Sequence, residues 1–266
     1  MTASQRGARM QPETLPKPAG LRGRIVVITR PVGTGAGLAR RVRALGGMPL
    51  LLPGLALHAV EHRAAAREGL RAALADQLIV FTSPAAVRHA AALLPLRTTA
   101  MVLAVGQGTA RALRRHGIAA PLTPRRQQDS EGLLELAELQ QLRGRRVALI
   151  GAPGGRGVLR AHLAARGARL REVHVYRRVP PRLDRRHVEA LNRLPASAQV
   201  LLSSAEALHN LQHGLPAPAW ARLCAATAVV SSERLAGAAR AAGFRRLRIA
   251  ASAVSADLLA EALSAS

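Results

Sequence analysis

Short apolar runs separate longer segments rich in alanine, leucine and arginine along most of the chain. Most of the runs are apolar at successive positions rather than at every second position, which is typical of strands buried on both faces of a parallel sheet. The intervening segments, such as GLARRVRALGG, have a helical composition. This alternation predicts βαβ units and an open, doubly wound α/β fold. The ten predicted strands are IVVITR, MPLLLPG, LIVFTS, VLAVG, APLTP, VALIGA, LREVHVY, VLLSS, AVVSS and LRIAA.

The chain also contains an internal duplication. A shift of 121 positions places residues 21–47 on residues 142–168, and both segments begin with LRGR. The same shift places LIVFTSPAAV on QVLLSSAEAL. Two related structural units are therefore expected. The aligned pairs include Gly33 and Gly154, Leu38 and Leu159, Gly46 and Gly167, and Ser83 and Ser204.

The order of the copies predicts that one domain is inserted into the other. The first β-α-β unit is followed by three further strands before its own copy begins, so each domain needs five strands. The first domain is predicted to comprise residues 21–57 and 180–266, with the second, residues 58–179, inserted between them. The expected fold is thus α/β, with two similar doubly wound domains, each with a five-stranded parallel sheet. The two chain crossings, near LALHAV and YRRVPPRL, would form a hinge.

Charge narrows the choice of partner. The chain has 39 basic and 15 acidic residues, a formal net charge of +24, and Lys17 is its only lysine. Arginine presents a planar fork that suits carboxylate or phosphate, so an anionic partner is expected, although a GC-rich genome would also favour arginine over lysine. A nucleic acid is not expected, because four scattered aromatic residues give no platform for base stacking. They are Phe81, Tyr176, Trp220 and Phe244.

The start of the chain and its single cysteine bear on location. Residues 1–20 are polar and rich in proline and glycine, so a flexible leader is expected rather than a signal peptide. No apolar stretch approaches the roughly 18 residues of a membrane span. Cys224 has no second cysteine with which to form a disulfide. A location in the reducing cytoplasm, without membrane contact, is therefore expected. Separately, the chain is expected to be a monomer.

Six predicted strands end in turns that suit anion binding. In open α/β sheets, ligands bind outside the carboxyl ends of the strands, where helix N-termini present N–H groups and partial positive charge. Any single turn can also be explained as an ordinary helix cap. Ser83 followed by Pro84, for example, would be an N-cap with proline at the first helical position. Six of them together indicate a ligand with several carboxylates. The turns are TRPVGTGAG, FTSPAAV, VGQGTA, IGAPGGRG, LSSAEA and VSSERLA.

Six segments occur in a characteristic order: VITRP, VFTSPAAV, AVGQGTARALRRHG, DSEGLLEL, GRRVALIGAPGGRGVLRAHLAARGA and VHVYRR. In this order they resemble the uroporphyrinogen-III synthase family, over about residues 21–258. The resemblance implies two α/β domains joined by a two-stranded linker, with the substrate in a cleft between them. It implies cyclisation of linear hydroxymethylbilane, a tetrapyrrole with eight carboxylates, with inversion of ring D, loss of water and no metal or organic cofactor. A candidate protein partner is hydroxymethylbilane synthase, which would hand over the substrate.

The resemblance also assigns roles to single residues. Tyr176, in VHVYRR, aligns with the tyrosine that the family is thought to place near the departing hydroxyl. A phenol can donate a proton to that group, so Tyr176 is the candidate general acid. The structural alternative is an aromatic residue that packs the hinge. Candidate substrate-binding positions are Thr82, Ser83, Gly106 and Thr109 in the inserted domain, and Thr29, Arg30, Ser204 and Ser232 in the other.

The second copy departs from the family pattern at two turns. The expected Ser-Pro is Ser204-Ala205, and the expected Gly-x-x-Thr is the segment from Ser232 to Leu235, so one hydroxyl is missing. A homologue of low activity therefore remains open.

Two other functional classes remain open from the residues alone. The glycines of VGTGAG could open a dinucleotide-binding turn, although they read G-x-G-x-G and no acidic residue ends the next strand. A two-domain protein that captures an anionic metabolite without chemistry would show binding without turnover.

Two histidine patterns have a spacing that also occurs in metal sites. His58, Glu61 and His62 match the H-x-x-E-H string of some zinc peptidases, but the string lies at a predicted domain crossing, and no metal is expected. His209 and His213 are expected to face solvent from a helix. Cys224 is expected to pack as a small apolar residue.

Overall fold

The computed structural model describes residues 20–124, 129–154 and 157–264, which form an α/β fold with parallel sheets. Apart from Gly20, the predicted leader lies outside the described residues. The chain divides into two compact units. Within the described residues, unit 1 comprises those up to Leu55 and from Pro180 onward, and unit 2 comprises those of Ala56–Val179.

Eleven strands and eleven α-helices occur in the described part of the chain. The strands are β1 (Ile25–Ile28), β2 (Met48–Leu51), β3 (Ala56–Ala59), β4 (Leu78–Phe81), β5 (Met101–Ala104), β6 (Arg146–Gly151), β7 (Arg169–His174), β8 (Tyr176–Val179), β9 (Gln199–Leu202), β10 (Thr227–Val230) and β11 (Arg246–Ile249). The helices are α1 (Ala36–Ala44), α2 (Arg63–Ala73), α3 (Pro84–Ala91), α4 (Gln107–Arg115), α5 (Ser130–Leu134), α6 (Gly157–Ala165), α7 (Arg185–Asn192), α8 (Ala205–Gly214), α9 (Ala217–Cys224), α10 (Glu233–Ala241) and α11 (Ser255–Leu263). None of these helices has the length and apolar character that a membrane crossing requires.

Unit 1 is built on a five-stranded parallel sheet of order β11-β10-β9-β1-β2. Its central strands are buried on both faces, because alternate residues enter two separate apolar clusters. Val27 and Val200 join the cluster covered by helices α7 to α10, whereas Val26 and Leu201 join the cluster covered by α1 and α11. The doubly wound arrangement predicted from the apolar runs is therefore present in this unit.

Unit 2 has a parallel sheet of order β5-β4-β6-β7, so the prediction of five strands in this sheet is wrong for the described residues. The segment APLTP forms a bridge at one residue only. The Leu122 N–H donates to Val102 O at 2.9 Å, and Leu122 O accepts from the Ala104 N–H at 2.8 Å. The next donor of a parallel ladder would be two residues on, at Pro124, which has no N–H. The ladder ends there.

Strands β3 and β8 form a separate antiparallel ribbon in unit 2, with Ala59 opposite Tyr176. The run LREVHVY, predicted as one strand, is divided at Val175. Strand β7 ends at His174, and β8 begins at Tyr176. The chain enters unit 2 just before β3 and leaves it just after β8. The candidate general acid is thus on this ribbon and not at the end of a sheet strand.

The duplicated segments share their turn conformations. Gly33 and Gly154 have φ of +75° and +68°, and Gly46 and Gly167 have φ of +81° and +80°. A side chain is disfavoured in this left-handed region, which explains why glycine stands at the same place in both copies. The repeat seen in the sequence is therefore a repeat of backbone geometry as well.

Gly54 follows β2 and lies against helix α8. A Cβ at Gly54 would be 2.5 Å from Ala207 Cβ and 2.9 Å from two backbone atoms of Ala207. Because this contact cannot be relieved by a side-chain rotation, we expect Gly54→Ala to lower the free energy of unfolding by about 1–3 kcal/mol. Urea denaturation would measure this change.

Gly237, inside helix α10, is the matched control for Gly54. A Cβ at Gly237 meets no atom within 4 Å, so Gly237→Ala should leave stability unchanged or raise it by up to about 1 kcal/mol, through helix propensity. Equal effects of the two substitutions on the urea midpoint would contradict the close packing at Gly54.

Candidate active site

Four helices begin at the carboxyl edges of the two sheets after a link of two residues: α3 and α4 in unit 2, and α8 and α10 in unit 1. Their N-cap residues have extended backbone, with φ of −166° at Ser83, −168° at Gly106, −151° at Ser204 and −170° at Ser232. Each serine Oγ accepts the backbone N–H three residues further on, at 3.0 or 3.3 Å. The other N–H groups of the first turn have no partner within the helix. Two neighbouring positive helix ends therefore lie at the carboxyl edge of each sheet.

Tyr176 lies against the first helix of this set, α3. Its hydroxyl is 3.2 Å from Ser83 Oγ, in a hydrogen bond in which either group can donate. Its ring is stacked on the imidazole of His89, with the ring centroids 5.2 Å apart and the planes at 21°. Tyr176 is 6% exposed and belongs to an apolar cluster of unit 2. The residue thus combines aromatic packing with a hydroxyl held at a helix N-terminus.

The three threonines among the predicted binding residues have buried side chains. The Thr29 hydroxyl donates to Leu201 O at 2.7 Å, and the Thr82 hydroxyl donates to Ile150 O at 3.1 Å. Each bond ties the end of one strand to its parallel neighbour. Thr109, in the first turn of α4, is 4% exposed. The hydroxyl protons of Thr29 and Thr82 are used within the sheets, and substrate contact at the three positions stays a prediction.

Arg30 connects the end of β1 to the start of α11. One terminal nitrogen of its guanidinium donates to Ala253 O at 2.7 Å and to Ser255 Oγ at 3.0 Å. Burial lowers the pKa of Arg30 below its ordinary value, yet an arginine remains a cation at neutral pH. A half-buried positive charge therefore lies at the carboxyl edge of the unit 1 sheet.

His89 is a residue that the sequence reasoning missed. It lies just beyond the VFTSPAAV segment, on the second turn of α3, and nothing in the local sequence shows that this turn meets β8. Desolvation by burial lowers the pKa of His89 below its ordinary value of 6.5, and the charges of Arg88 and Arg63 lower it further. The imidazole stacked on Tyr176 is therefore uncharged at neutral pH.

The H-x-x-E-H string does not lie on one helix. His58 is on strand β3, His62 is the N-cap residue of α2, and the Glu61 carboxylate between them pairs with Arg177 at 3.3 Å. Within the described ranges, no group of three or more His, Cys, Asp or Glu side chains could hold a metal ion.

The remaining motif residues have structural surroundings. His209 and His213 are exposed on α8, with ring centroids 4.1 Å apart. Cys224 is buried, and desolvation raises the pKa of its thiol to about 11, so it stays protonated at neutral pH. In VGTGAG, Gly35 is the N-cap residue of α1, and the segment after β2 is LPG, without an acidic side chain.

Both parallel sheets have paired helix N-termini at their carboxyl edges, and the chain is rich in arginine. These features define a class of protein suited to a polyanionic ligand. Residues 36–260 match the family model described as Uroporphyrinogen-III synthase HemD. The chain belongs to the uroporphyrinogen-III synthase family.

The chain is also similar to curated relatives and, in its fold, to solved structures. The chain is 29% identical over 233 residues to uroporphyrinogen-III synthase of Salmonella typhimurium and 28% identical over 233 residues to that of Escherichia coli, covering 85% of this chain and 94% of each relative. A mutant uroporphyrinogen III synthase structure from Thermus thermophilus aligns with a TM-score of 0.58 at 24% identity, over 89% of this chain and 96% of that one. A Helicobacter pylori uroporphyrinogen-III synthetase structure aligns with a TM-score of 0.59 at 16% identity, over 91% and 99%. The two structures show a shared fold.

The lowered pKa of His89 predicts a pH dependence of stability. A base whose pKa is lower in the folded chain binds fewer protons than in the unfolded chain, so its favourable contribution is present above about pH 6.5 and is lost as the pH falls. We expect the free energy of unfolding to fall less steeply between pH 7.5 and about pH 5 in His89→Phe, which keeps an aromatic ring but cannot titrate. Urea midpoints at several pH values measure this slope.

The exposed His162 on α6 provides the control for this titration, because it lies in the same unit. His162→Phe should keep the wild-type slope. Identical slopes for the wild type and His89→Phe would show that His89 titrates alike in the folded and unfolded chain, which contradicts the prediction.

Proposed function

We propose that this protein is an active uroporphyrinogen-III synthase. It cyclises linear hydroxymethylbilane to uroporphyrinogen III, inverts ring D and releases water, without a metal or organic cofactor, which makes it a hydro-lyase. The observation that carries this proposal is the family match over residues 36–260, which extends through both units. The net charge of +24 and the four helix N-termini support it, since the substrate carries eight carboxylates.

Backbone amides, rather than threonine hydroxyls, are the proposed carboxylate donors. The N-cap residues Ser83, Gly106, Ser204 and Ser232 mark the four helix N-termini, where N–H groups and the helix dipole favour an anion. Arg30 adds a guanidinium at the edge of the unit 1 sheet.

The departures in the second copy affect this binding less than the sequence suggests. Leu235 stands where the family pattern has threonine, and it is 5% exposed, in the core of unit 1. Its counterpart in unit 2, Thr109, is 4% exposed. The missing hydroxyl is therefore at a buried position, and the amides of the α10 N-terminus remain. This supports activity rather than loss of function.

Tyr176 is the proposed general acid for departure of the terminal hydroxyl. If Ser83 donates to the phenol oxygen, the phenol proton is left to transfer to the departing hydroxide. The Ala86 N–H donates to Ser83 Oγ at 3.0 Å, and such a chain of hydrogen bonds strengthens the serine as a donor. The positive end of α3 and the Ser83 proton then stabilise the charge that develops on the phenol oxygen.

Three further properties belong to the same proposal. The protein acts as a monomer in the cytoplasm, and it receives its substrate from hydroxymethylbilane synthase. Handover suits the chemistry, because the free linear tetrapyrrole closes spontaneously to isomer I.

Isomer analysis of the product tests the function. With hydroxymethylbilane as substrate, the wild-type protein should yield mainly isomer III, whereas the reaction without protein yields isomer I. Substrate binding with isomer I as the product would instead identify a binding protein without catalysis. Absence of both binding and isomer III would contradict both functions.

Tyr176→Phe tests the general acid, because it removes the proton but keeps the ring. We expect the rate of isomer III formation to fall by at least about tenfold. Trp220→Phe, an aromatic substitution in unit 1, is the control and should keep most of the rate. An unchanged rate in Tyr176→Phe would remove Tyr176 from the mechanism.

A further inference from the structure

Helix α3 contacts Tyr176 at two different places on its side chain. At the start of the helix, Ser83 Oγ is 3.2 Å from the phenol oxygen. On the second turn, the imidazole of His89 lies over the face of the phenol ring, with centroids 5.2 Å apart and planes at 21°. A hydrogen bond alone fixes one atom and leaves the ring free to turn about it. The stacked imidazole restricts the plane of the ring as well.

We propose that His89 is a positioning residue for Tyr176, which holds the phenol ring against α3 so that its hydroxyl stays at the helix N-terminus beside Ser83. The geometric part of this inference stands by itself. Its catalytic part rests on the proposed function, since Tyr176 acts on hydroxymethylbilane only if the chain is a synthase.

The charge state of His89 fits a positioning role. Burial, together with the nearby charges of Arg88 and Arg63, holds the pKa of His89 below its usual value, so the imidazole that faces the phenol ring is uncharged at neutral pH. The stacked arrangement presents the face of the imidazole to Tyr176, and neither ring nitrogen bonds to the phenol oxygen. His89 therefore orients the phenol without adding an imidazolium, a stronger acid, beside it.

The internal copy in unit 1 offers a comparison within the same chain. The shift of 121 positions pairs His89 with Asn210 and Tyr176 with Leu55. Asn210 Nδ2 donates to Gly54 O at 3.0 Å, next to Leu55. In both units, the second turn of the equivalent helix, α3 or α8, thus contacts the segment that follows the second strand of the duplicated β-α-β unit. That strand is β7 in unit 2 and β2 in unit 1. In unit 2 the contact is made by a ring, and the residue held is the tyrosine.

Tyr176 is the only tyrosine of the chain, so its orientation can be observed directly. Protein labelled with ¹³C-tyrosine gives the ring signals of this residue alone in NMR spectra. In the wild type we expect these signals to be displaced by the imidazole ring current and to show proton–proton contacts to His89. His89→Phe should keep a displaced signal, and His89→Ala should move it toward the unfolded value. The ring signals of Phe81, which is buried in the same apolar cluster as Tyr176, report whether unit 2 is folded in each variant.

Two spectroscopic outcomes would overturn the positioning role. One is a wild-type spectrum without contacts between His89 and Tyr176, which needs no variant and is decisive even if His89→Ala does not fold. The other is a folded His89→Ala variant with unchanged Tyr176 ring signals.

Kinetics separate positioning from simple packing. We expect His89→Ala to lower kcat for isomer III formation about threefold to tenfold, with KM within about twofold, and His89→Phe to retain at least about half of kcat. His162→Ala, an exposed histidine of the same unit, should match the wild type. In the Tyr176→Phe background, His89→Ala should have no further effect, because residues that act through one group are not additive.

Three kinetic results would contradict the inference: an unchanged kcat in His89→Ala, a change confined to KM, or a full additional loss in the Tyr176→Phe background. A wild-type protein that forms no isomer III would contradict the proposed function instead. The NMR measurement would still decide whether His89 positions Tyr176, so the two failures are distinguishable.

Discussion

The geometry of parallel strands is the constraint on which the candidate site depends. In a parallel sheet all strands end at one edge, and the helix that follows each strand must begin there. In each unit, two adjacent strands are followed by an extended N-cap residue and a helix. Helix N-termini are thereby brought together without any charged side chain, and each supplies amides and partial positive charge. A substrate with many carboxylates suits such edges, and the excess of arginine adds to the same preference.

The succession of strands and helices along most of the chain could be predicted, because strands buried on both faces of a parallel sheet are largely apolar. The incorrect strand predictions concern segments whose pairing depends on a single residue or on a distant strand. Pro124 removes the donor that would extend the pairing of APLTP, and the composition of an apolar run does not reveal this. In LREVHVY every residue is compatible with a strand, so the break at Val175 depends on the pairing of Tyr176 with β3. That partner is more than a hundred residues away, and no window of local sequence contains it.

For the candidate site, too, some residue positions can be predicted from local sequence, whereas the contacts of others depend on the fold. The position of Ser83 at a helix N-terminus follows from the strand-Ser-Pro pattern, and the structure confirms its capping bond to Ala86. Thr29 and Thr82 also follow strands, but their hydroxyls point to carbonyl groups of the neighbouring strand. Whether a threonine at a strand end binds the sheet or a ligand depends on the register of the adjacent strand. His89 could not be identified from local sequence for a related reason, because its partner, Tyr176, lies on the ribbon of β3 and β8, far away along the chain.

The duplication allows the two units to have different roles in the proposed mechanism. Both copies keep the N-cap serine that aligns by the shift of 121, Ser83 and Ser204, so both can present amides to carboxylates. At the position after the second strand of the repeat, one copy has Tyr176 and the other has Leu55, which is 5% exposed. A leucine can only pack, whereas a phenol packs and also donates a proton. In the proposed mechanism the acid chemistry belongs to unit 2, and the hydroxyl missing at Leu235 lies in unit 1, for which only substrate binding is proposed.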